Sequence, residues 1–336
     1  MKGSHRVVVE TARLKYEFTI RRNLTVLQGD SATGKTTLVD LLQDYAKGEA
    51  ATSVRVESDV PCIVFGGQEA DWKLLLSSYS RSLIFIDEGY AFIRTKEFAD
   101  AIRHADNYFI LITREALPNL PYSIQEIYGI RTTGKYHFPQ KIYHEFYPLY
   151  EDESFPELND TEMTFIVSED EMSGYLFLRS CCGGSDHCVS AHGNANIYKV
   201  LRDLPKGGRI AVVADGAAFG ACIEKVLSLI RYRNDTMLYL PESFEWIVLK
   251  SGVVRGEELK EILEAPERFI DSRTSFSWEQ FFTDYLEQIT ADDPVIRYQK
   301  SQLPAYYTAG KNRERILDVF PEAVRACIRH ILEAAL

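Results

Sequence analysis

Residues 24–45 constrain this chain more than any other stretch. The apolar run Leu24-Thr25-Val26-Leu27-Gln28 has the length of a strand and leads into Gly29-Asp30-Ser31-Ala32-Thr33-Gly34-Lys35-Thr36-Thr37. Beyond it, Leu38, Leu41 and Leu42 recur at helical spacing. Glycines at 29 and 34 let the backbone turn closely, so that consecutive N–H groups point inward. A helix opening directly from that turn adds the partial positive charge of its N-terminus. Strand, turn and helix together make a cradle for an anion with several oxygens. An ordinary glycine-bearing turn is the competing reading, and the agreement of the full pattern G-x-x-x-x-G-K-[ST] with its context tells against it.

Read as a phosphate site, the segment assigns its residues. The backbone of Gly29, Asp30, Ser31, Ala32, Thr33, Gly34, Lys35, Thr36 and Thr37 wraps the phosphates. The Lys35 ammonium reaches the β- and γ-phosphates, and the Thr36 hydroxyl ligates magnesium. A second apolar strand, Leu83-Ile84-Phe85-Ile86, ends in Asp87 and Glu88. In α/β sheets ligands sit at the carboxyl ends of strands. Asp87 is therefore expected to hold magnesium through water, with Glu88 orienting the attacking water. A third run, Phe109-Ile110-Leu111-Ile112, ends in Thr113 and Arg114. Thr113 is the better candidate for sensing the γ-phosphate, Arg114 for clamping it; a plain strand-to-loop transition competes.

These residues resemble the P-loop ATPases of the AAA and ABC-type class, over about residues 1–130. The resemblance implies a P-loop parallel-sheet domain that binds ATP and Mg2+. There is no Ser-Gly-Gly-Gln signature, and the interval from Lys35 to Asp87 leaves no room for a coiled-coil insertion. No N-K-x-D base-recognition motif occurs, which favours ATP over GTP. An arginine-rich lid, as a small-molecule kinase would need, is not found either.

The rest of the first half fits alternating strands and helices, which implies a mostly parallel sheet. Residues 6–10 and 15–20 read as an antiparallel pair, and 61–65 as a further strand. Residues 151–171 then hold nine acidic residues and no lysine or arginine. Their first part, with Pro156 and Asn159, reads as a linker. The expected organisation is a P-loop domain over 1–150, an acidic linker over 151–160, a second α/β domain over 161–255 and a helical C-terminal extension over 256–336.

In the second domain Phe165-Ile166-Val167-Ser168 leads into Glu169-Asp170-Glu171. Ile210-Ala211-Val212-Val213-Ala214 leads into Asp215-Gly216-Ala217, and a glycine turn at 193–198 lies between them. This order resembles a Toprim domain, the metal-binding α/β fold of topoisomerases, primases and the OLD-type nucleases. The resemblance implies that Glu169 and Asp215 cradle magnesium for phosphodiester chemistry, since carboxylate oxygens suit a hard cation. It departs at Ala217, where the family has a second aspartate; Glu242 or Glu245 is a candidate further acid. A generic α/β domain with acids at strand ends is the alternative.

Two other clusters stand out. Cys181, Cys182, His187, Cys188 and His192 invite a zinc reading, but there is no C-x-x-C spacing, and buried thiols are the stronger reading. Aromatic residues of the tail, among them Phe276, Trp278, Phe282, Tyr298 and Tyr307, lie near Arg297, Lys300 and Lys311. They fit helix packing better than stacking on single-stranded bases.

A net charge of −11 argues against a non-specific nucleic-acid binder. No apolar run approaches bilayer length, and residues 1–6 lack the apolar core of a signal peptide, so the cytoplasm and no membrane partner are expected. Six scattered cysteines imply free thiols. The resulting expectation is an ATPase controlling a metal-binding domain that acts on or senses nucleic acid. The alternative is an ATP-dependent switch that binds a protein partner through a non-catalytic second domain.

Overall fold

A computed structural model of the chain describes residues 1–29, 33–48, 53–133, 141–150 and 163–334. The expected linker at 151–160 and the loop residues Asp30, Ser31 and Ala32 lie outside the described residues. The chain divides into two compact units: Met1–Glu151 with Glu264–Ser277, and Asp152–Leu263 with Trp278–Leu336.

The first unit is built on a nine-stranded sheet. Its strands are β1 (His5–Glu10), β2 (Leu14–Ile20), β3 (Leu24–Leu27), β4 (Arg55–Glu57), β5 (Cys62–Val64), β6 (Leu83–Ile86), β7 (Tyr108–Ile112), β8 (Ile127–Thr132) and β9 (Ile142–Pro148). The spatial order is β4-β1-β2-β9-β8-β3-β7-β6-β5. Half of it is parallel: β3 pairs with β8 on one side and β7 on the other, followed by β6 and β5. The other half is mixed: β1 runs antiparallel to both β2 and β4, and β8 antiparallel to β9, while β2 pairs parallel with β9. The expectation of a mostly parallel sheet is thus corrected to a mixed one. The reason is that only three residues separate β1 from β2 and nine separate β8 from β9, fewer than the dozen or so a parallel crossover needs, and such neighbours pair antiparallel.

Helices α1 (Lys35–Lys47), α2 (Trp72–Ser78) and α3 (Lys96–Ile102) cover the sheet. Leu38, Val39 and Leu42 of α1 pack with Val7, Val9, Phe18, Phe85, Ile110 and Ile112. The alternation of Leu83 and Phe85, and of Tyr108, Ile110 and Ile112, on that face is the two-residue period of a strand. The intervening Ile84, Ile86, Phe109 and Leu111 are buried as well. Trp72, Phe92 and Phe98 form an aromatic cluster that reaches Phe109, with Trp72 stacked on Phe92 at 5.0 Å. Burial on both faces explains the uninterrupted apolar runs of β6 and β7. A buried phenylalanine such as Phe85 is worth about 3–5 kcal/mol against alanine.

Residues Glu264–Ser277 belong to this unit, not to a helical tail. Gly3 donates its backbone N–H to Glu267 at 2.7 Å, and Asn23 Nδ2 donates to the carbonyl of Phe276 at 2.8 Å. Arg103 lies over the Phe276 ring at 5.3 Å.

The second unit has a four-stranded, fully parallel sheet of β10 (Thr164–Ser168), β11 (Cys188–Ser190), β12 (Arg209–Val213) and β13 (Thr236–Tyr239), in the order β11-β10-β12-β13. Its helices are α4 (Ser173–Cys181), α5 (Ile197–Asp203), α6 (Ile223–Arg233), α7 (Phe244–Lys250), α8 (Leu259–Glu264, which runs to the edge of the unit), α9 (Trp278–Thr290), α10 (Ala305–Thr308), α11 (Gly310–Leu317) and α12 (Glu322–Ala334). The C-terminal helices are part of this unit's core and not a separate extension. α12 packs on β10 and β12, and α9 on α7. Trp278, Phe282, Tyr298 and Tyr307 are buried, as packing aromatics are. Among the described residues no helix is long and apolar enough to cross a membrane.

Candidate functional site

The glycine-bearing turn sits where β3 ends and α1 begins. Gly29 has φ +123° and Gly34 φ +99°, both in the region that glycine alone enters at low cost. A Cβ on Gly34 would lie 2.8 Å from the Tyr16 hydroxyl. Lys35 is the first residue of α1, and its ammonium donates to the Gly29 carbonyl at 2.7 Å and to Thr33 Oγ1 at 3.1 Å. The ammonium is thereby held over the turn, although only 7 % of the residue is exposed.

This turn opens onto a cavity of about 570 Å³. Its lining brings together Thr33–Thr37, Asp87, Glu88 and Arg114 from the ends of the three apolar strands. Strand order explains the convergence. β7 lies between β3 and β6, all three are parallel, and their carboxyl ends share one edge. Asp87 accepts the Glu88 backbone N–H at 2.8 Å, and Arg114 Nε pairs with Glu88 Oε2 at 3.2 Å.

The two candidates that end β7 part company. Arg114 lines the cavity, whereas Thr113 is buried; its hydroxyl donates to the Glu115 carbonyl at 3.2 Å and accepts the Glu115 N–H at 3.1 Å. A hydroxyl spent on its own turn is not offered to the cavity.

Two residues of this wall carry no sequence signal. Tyr16 on β2 and His144 on β9 are register partners and stack at 4.5 Å. The Tyr16 hydroxyl donates to the Gly34 carbonyl at 3.1 Å and is also hydrogen-bonded to Thr37. Burial pushes its phenol up to about 12 and holds the His144 imidazole below its ordinary value, so both rings are neutral near pH 7. Their pairing spans more than a hundred residues of sequence, and no local pattern announces it.

In the second unit β10 and β12 are adjacent and in register, Ser168 opposite Val213. Glu169 and Asp215 therefore emerge side by side, and Glu169 Oε2 accepts the Asp215 backbone N–H at 2.9 Å. Asp215 Oδ1 accepts the Phe244 N–H at 3.1 Å, at the start of α7. Gly216 makes this approach possible: a Cβ there would meet the Leu240 carbonyl oxygen at 2.5 Å. Burial raises Glu169 to about 7 and Asp215 well above the usual carboxylate range, with the charges of Glu279 and other nearby acids adding to the effect.

Further groups join this pair. Glu245 is fully buried and takes the Tyr298 hydroxyl at 2.7 Å. Lys300 Nζ contacts Glu279 Oε1 at 2.6 Å and lies 3.9 Å from Glu245 Oε1. Lys300, Tyr298 and Glu279 lie far from Glu169 in sequence, Glu279 on α9 and the other two in the connection between α9 and α10. Ala217 is buried, and its N–H donates to the Glu242 carbonyl at 3.2 Å.

The cysteine and histidine cluster is dispersed. Cys181, Cys182 and Cys188 are buried free thiols, Cys182 hydrogen-bonded to Cys188. His187 Nδ1 engages the Thr164 carbonyl at 2.8 Å, and His192 is exposed beside Glu171. Among the described residues no group of three His, Cys, Asp or Glu is arranged to hold a metal. Comparison with family models, curated proteins and solved structures gave no match for the chain.

Proposed function

We propose that the first unit binds ATP with magnesium and hydrolyses it, and that this turnover controls the second unit, whose Glu169 and Asp215 bind a divalent cation in acting on or sensing nucleic acid. The observation that carries the reading is the single cavity lined by Thr33–Thr37, Asp87, Glu88 and Arg114. It is supported by the resemblance of these residues to P-loop ATPases and by the position of β7 between the strands that present the turn and the acids.

The residues fit the ligand chemically. Lys35 and the N-terminus of α1 supply positive charge where phosphates would lie. Thr36 and Asp87 offer the oxygen donors that magnesium takes. The bound ion would neutralise phosphate charge. Glu88 is the water-orienting group, and Arg114 is a cation within the cavity that can contact phosphate. A phosphate-release assay on the full chain with ATP and magnesium tests this; no ATP-dependent release, in a folded protein free of contaminating ATPase, overturns it.

In the second unit the Glu245 Oε2, buried without a hydrogen-bond partner, and the adjacency of Glu169 and Asp215 support a cation site. A second reading is favoured by Ala217, whose side chain offers no ligand where the Toprim pattern has an aspartate. On that reading the second unit binds a protein partner without cutting nucleic acid. Cation binding without cleavage of DNA or RNA distinguishes it.

A further inference from the structure

The acid site of the second unit contains a cation of the chain's own. Glu245 is 0 % exposed, and while its Oε1 is held by Tyr298, its Oε2 is buried with no hydrogen-bond partner. Such an orphaned carboxylate oxygen is costly unless a donor or a cation reaches it. A cavity of about 30 Å³, room for one water-sized occupant, is lined by Glu169, Asp215, Glu245 and Lys300. Outside it lies an open groove of about 780 Å³, lined by Glu279, Arg297 and Tyr298 among others. Lys300, with Asp170 and Met172, borders both spaces.

Lys300 is fixed at that boundary from two sides. Its backbone carbonyl accepts the Ser173 N–H at 2.8 Å, and its ammonium contacts Glu279 at 2.6 Å. The ammonium is drawn toward Glu279 and Glu245 together.

We propose that Lys300 is a tethered cation of the acid site and sets its affinity for divalent ions by competing with them. This rests on the reading of Glu169 and Asp215 as a cation site. An ammonium and a divalent ion a few ångströms apart repel strongly in a partly buried site. The carboxylates therefore take the ion fully only when Lys300 swings out toward the groove. Glu245 Oε2 is the ligand that this exchange makes available, beside Glu169 and Asp215. A ligand in the groove that pairs with the Lys300 ammonium, as a phosphate group would, favours the exchange.

The counter-intuitive consequence is that deleting a cation-site neighbour tightens binding. Mn2+ is titrated into the full chain without nucleotide, followed by electron paramagnetic resonance, and the part of the signal lost in Glu169→Ala is assigned to this site. Lys300→Met and Lys300→Gln should bind at that site at least ~10-fold more tightly than the parent, the order expected for one partly buried charge. Lys300→Arg, which keeps the charge, should not. If Lys300→Met does not fold, the glutamine and arginine variants carry the comparison. Glu169-dependent binding that is equal or weaker in the neutral variants overturns the competition while leaving the cation site in place. No Glu169-dependent binding in any folded variant removes both.

Discussion

Arg114 pairs with Glu88 at 3.2 Å across the carboxyl ends of β7 and β6. The guanidinium is half exposed, so the pair itself contributes little to stability. Its consequence is orientation: the Glu88 carboxyl lines the cavity with one flank occupied by the guanidinium. Glu88→Gln should therefore keep ATP affinity within a few-fold and slow hydrolysis by at least ~10²-fold, the scale of a water-positioning group. Pre-steady-state phosphate release measures this, and hydrolysis at the parent rate would assign the water to another residue.

Gly34→Ala should disable the same cavity from the opposite wall. A left-handed residue with a Cβ costs about 1–2 kcal/mol, and this Cβ would also press on the Tyr16 hydroxyl. Affinity for ATP should fall at least ~10-fold, the equivalent of about 1.4 kcal/mol, with Lys35 unchanged. Calorimetric titration checks it; parent affinity in the alanine variant would mean that the turn relaxes freely.

The pH dependence of stability follows from Glu169. Its pKa is raised by burial to about 7, against a usual carboxylate value of about 4.3. Between these values the folded chain binds a proton that the unfolded chain has lost. This contribution to stability is complete below about pH 4 and is lost as pH rises toward 7. Glu169→Gln removes the titration. In metal-free buffer, chemical denaturation across pH 4.5–7.5 should show the variant gaining on the parent as pH rises. A difference between them that is independent of pH would mean that Glu169 is not buried in this way.

Much of this arrangement is legible in the amino acids alone, and the boundary has a physical basis. β6 and β7 are short runs of apolar residues buried on both faces, and each ends in polar groups at the sheet's edge, so strand and candidate site are read together. The turn at Gly29 and Gly34 is legible because its backbone geometry demands particular residues. β8 and β9 are not, because β8 is only half buried and β9 has no fully buried position, and their pairings with β3 and β2 join distant segments. The same holds for Tyr16 with His144 and for Lys300 with Glu245. Each is a long-range contact that no local pattern announces. Thr113 is misleading for a local reason: a hydroxyl at a strand end serves an ST turn as readily as a ligand.

Tyr298→Phe isolates the energetic role of the buried Glu245. The phenol donates to Glu245 Oε1 at 2.7 Å and lies within hydrogen-bond distance of the Ser173 hydroxyl at 2.5 Å. Without it the carboxylate keeps a 3.4 Å contact from Ser173 and the more distant Lys300. The variant should lose about 1–3 kcal/mol, the cost of a buried acceptor deprived of its donor. Guanidinium denaturation reads this from the midpoint, and an unshifted midpoint would place Glu245 in contact with solvent.

Nucleotide binding through Lys35 is the central claim, and isothermal titration of ATP with magnesium into the parent chain and into Lys35→Ala tests it most directly. The Lys35 ammonium bonds to the turn at Gly29 and Thr33, so the variant should unfold at nearly the parent temperature. The parent should bind one ATP per chain, and the variant should show at least ~100-fold weaker affinity, about 2.7 kcal/mol for a lost charge-assisted phosphate contact. Equal affinity in the two proteins, or no binding by the folded parent, would contradict the account.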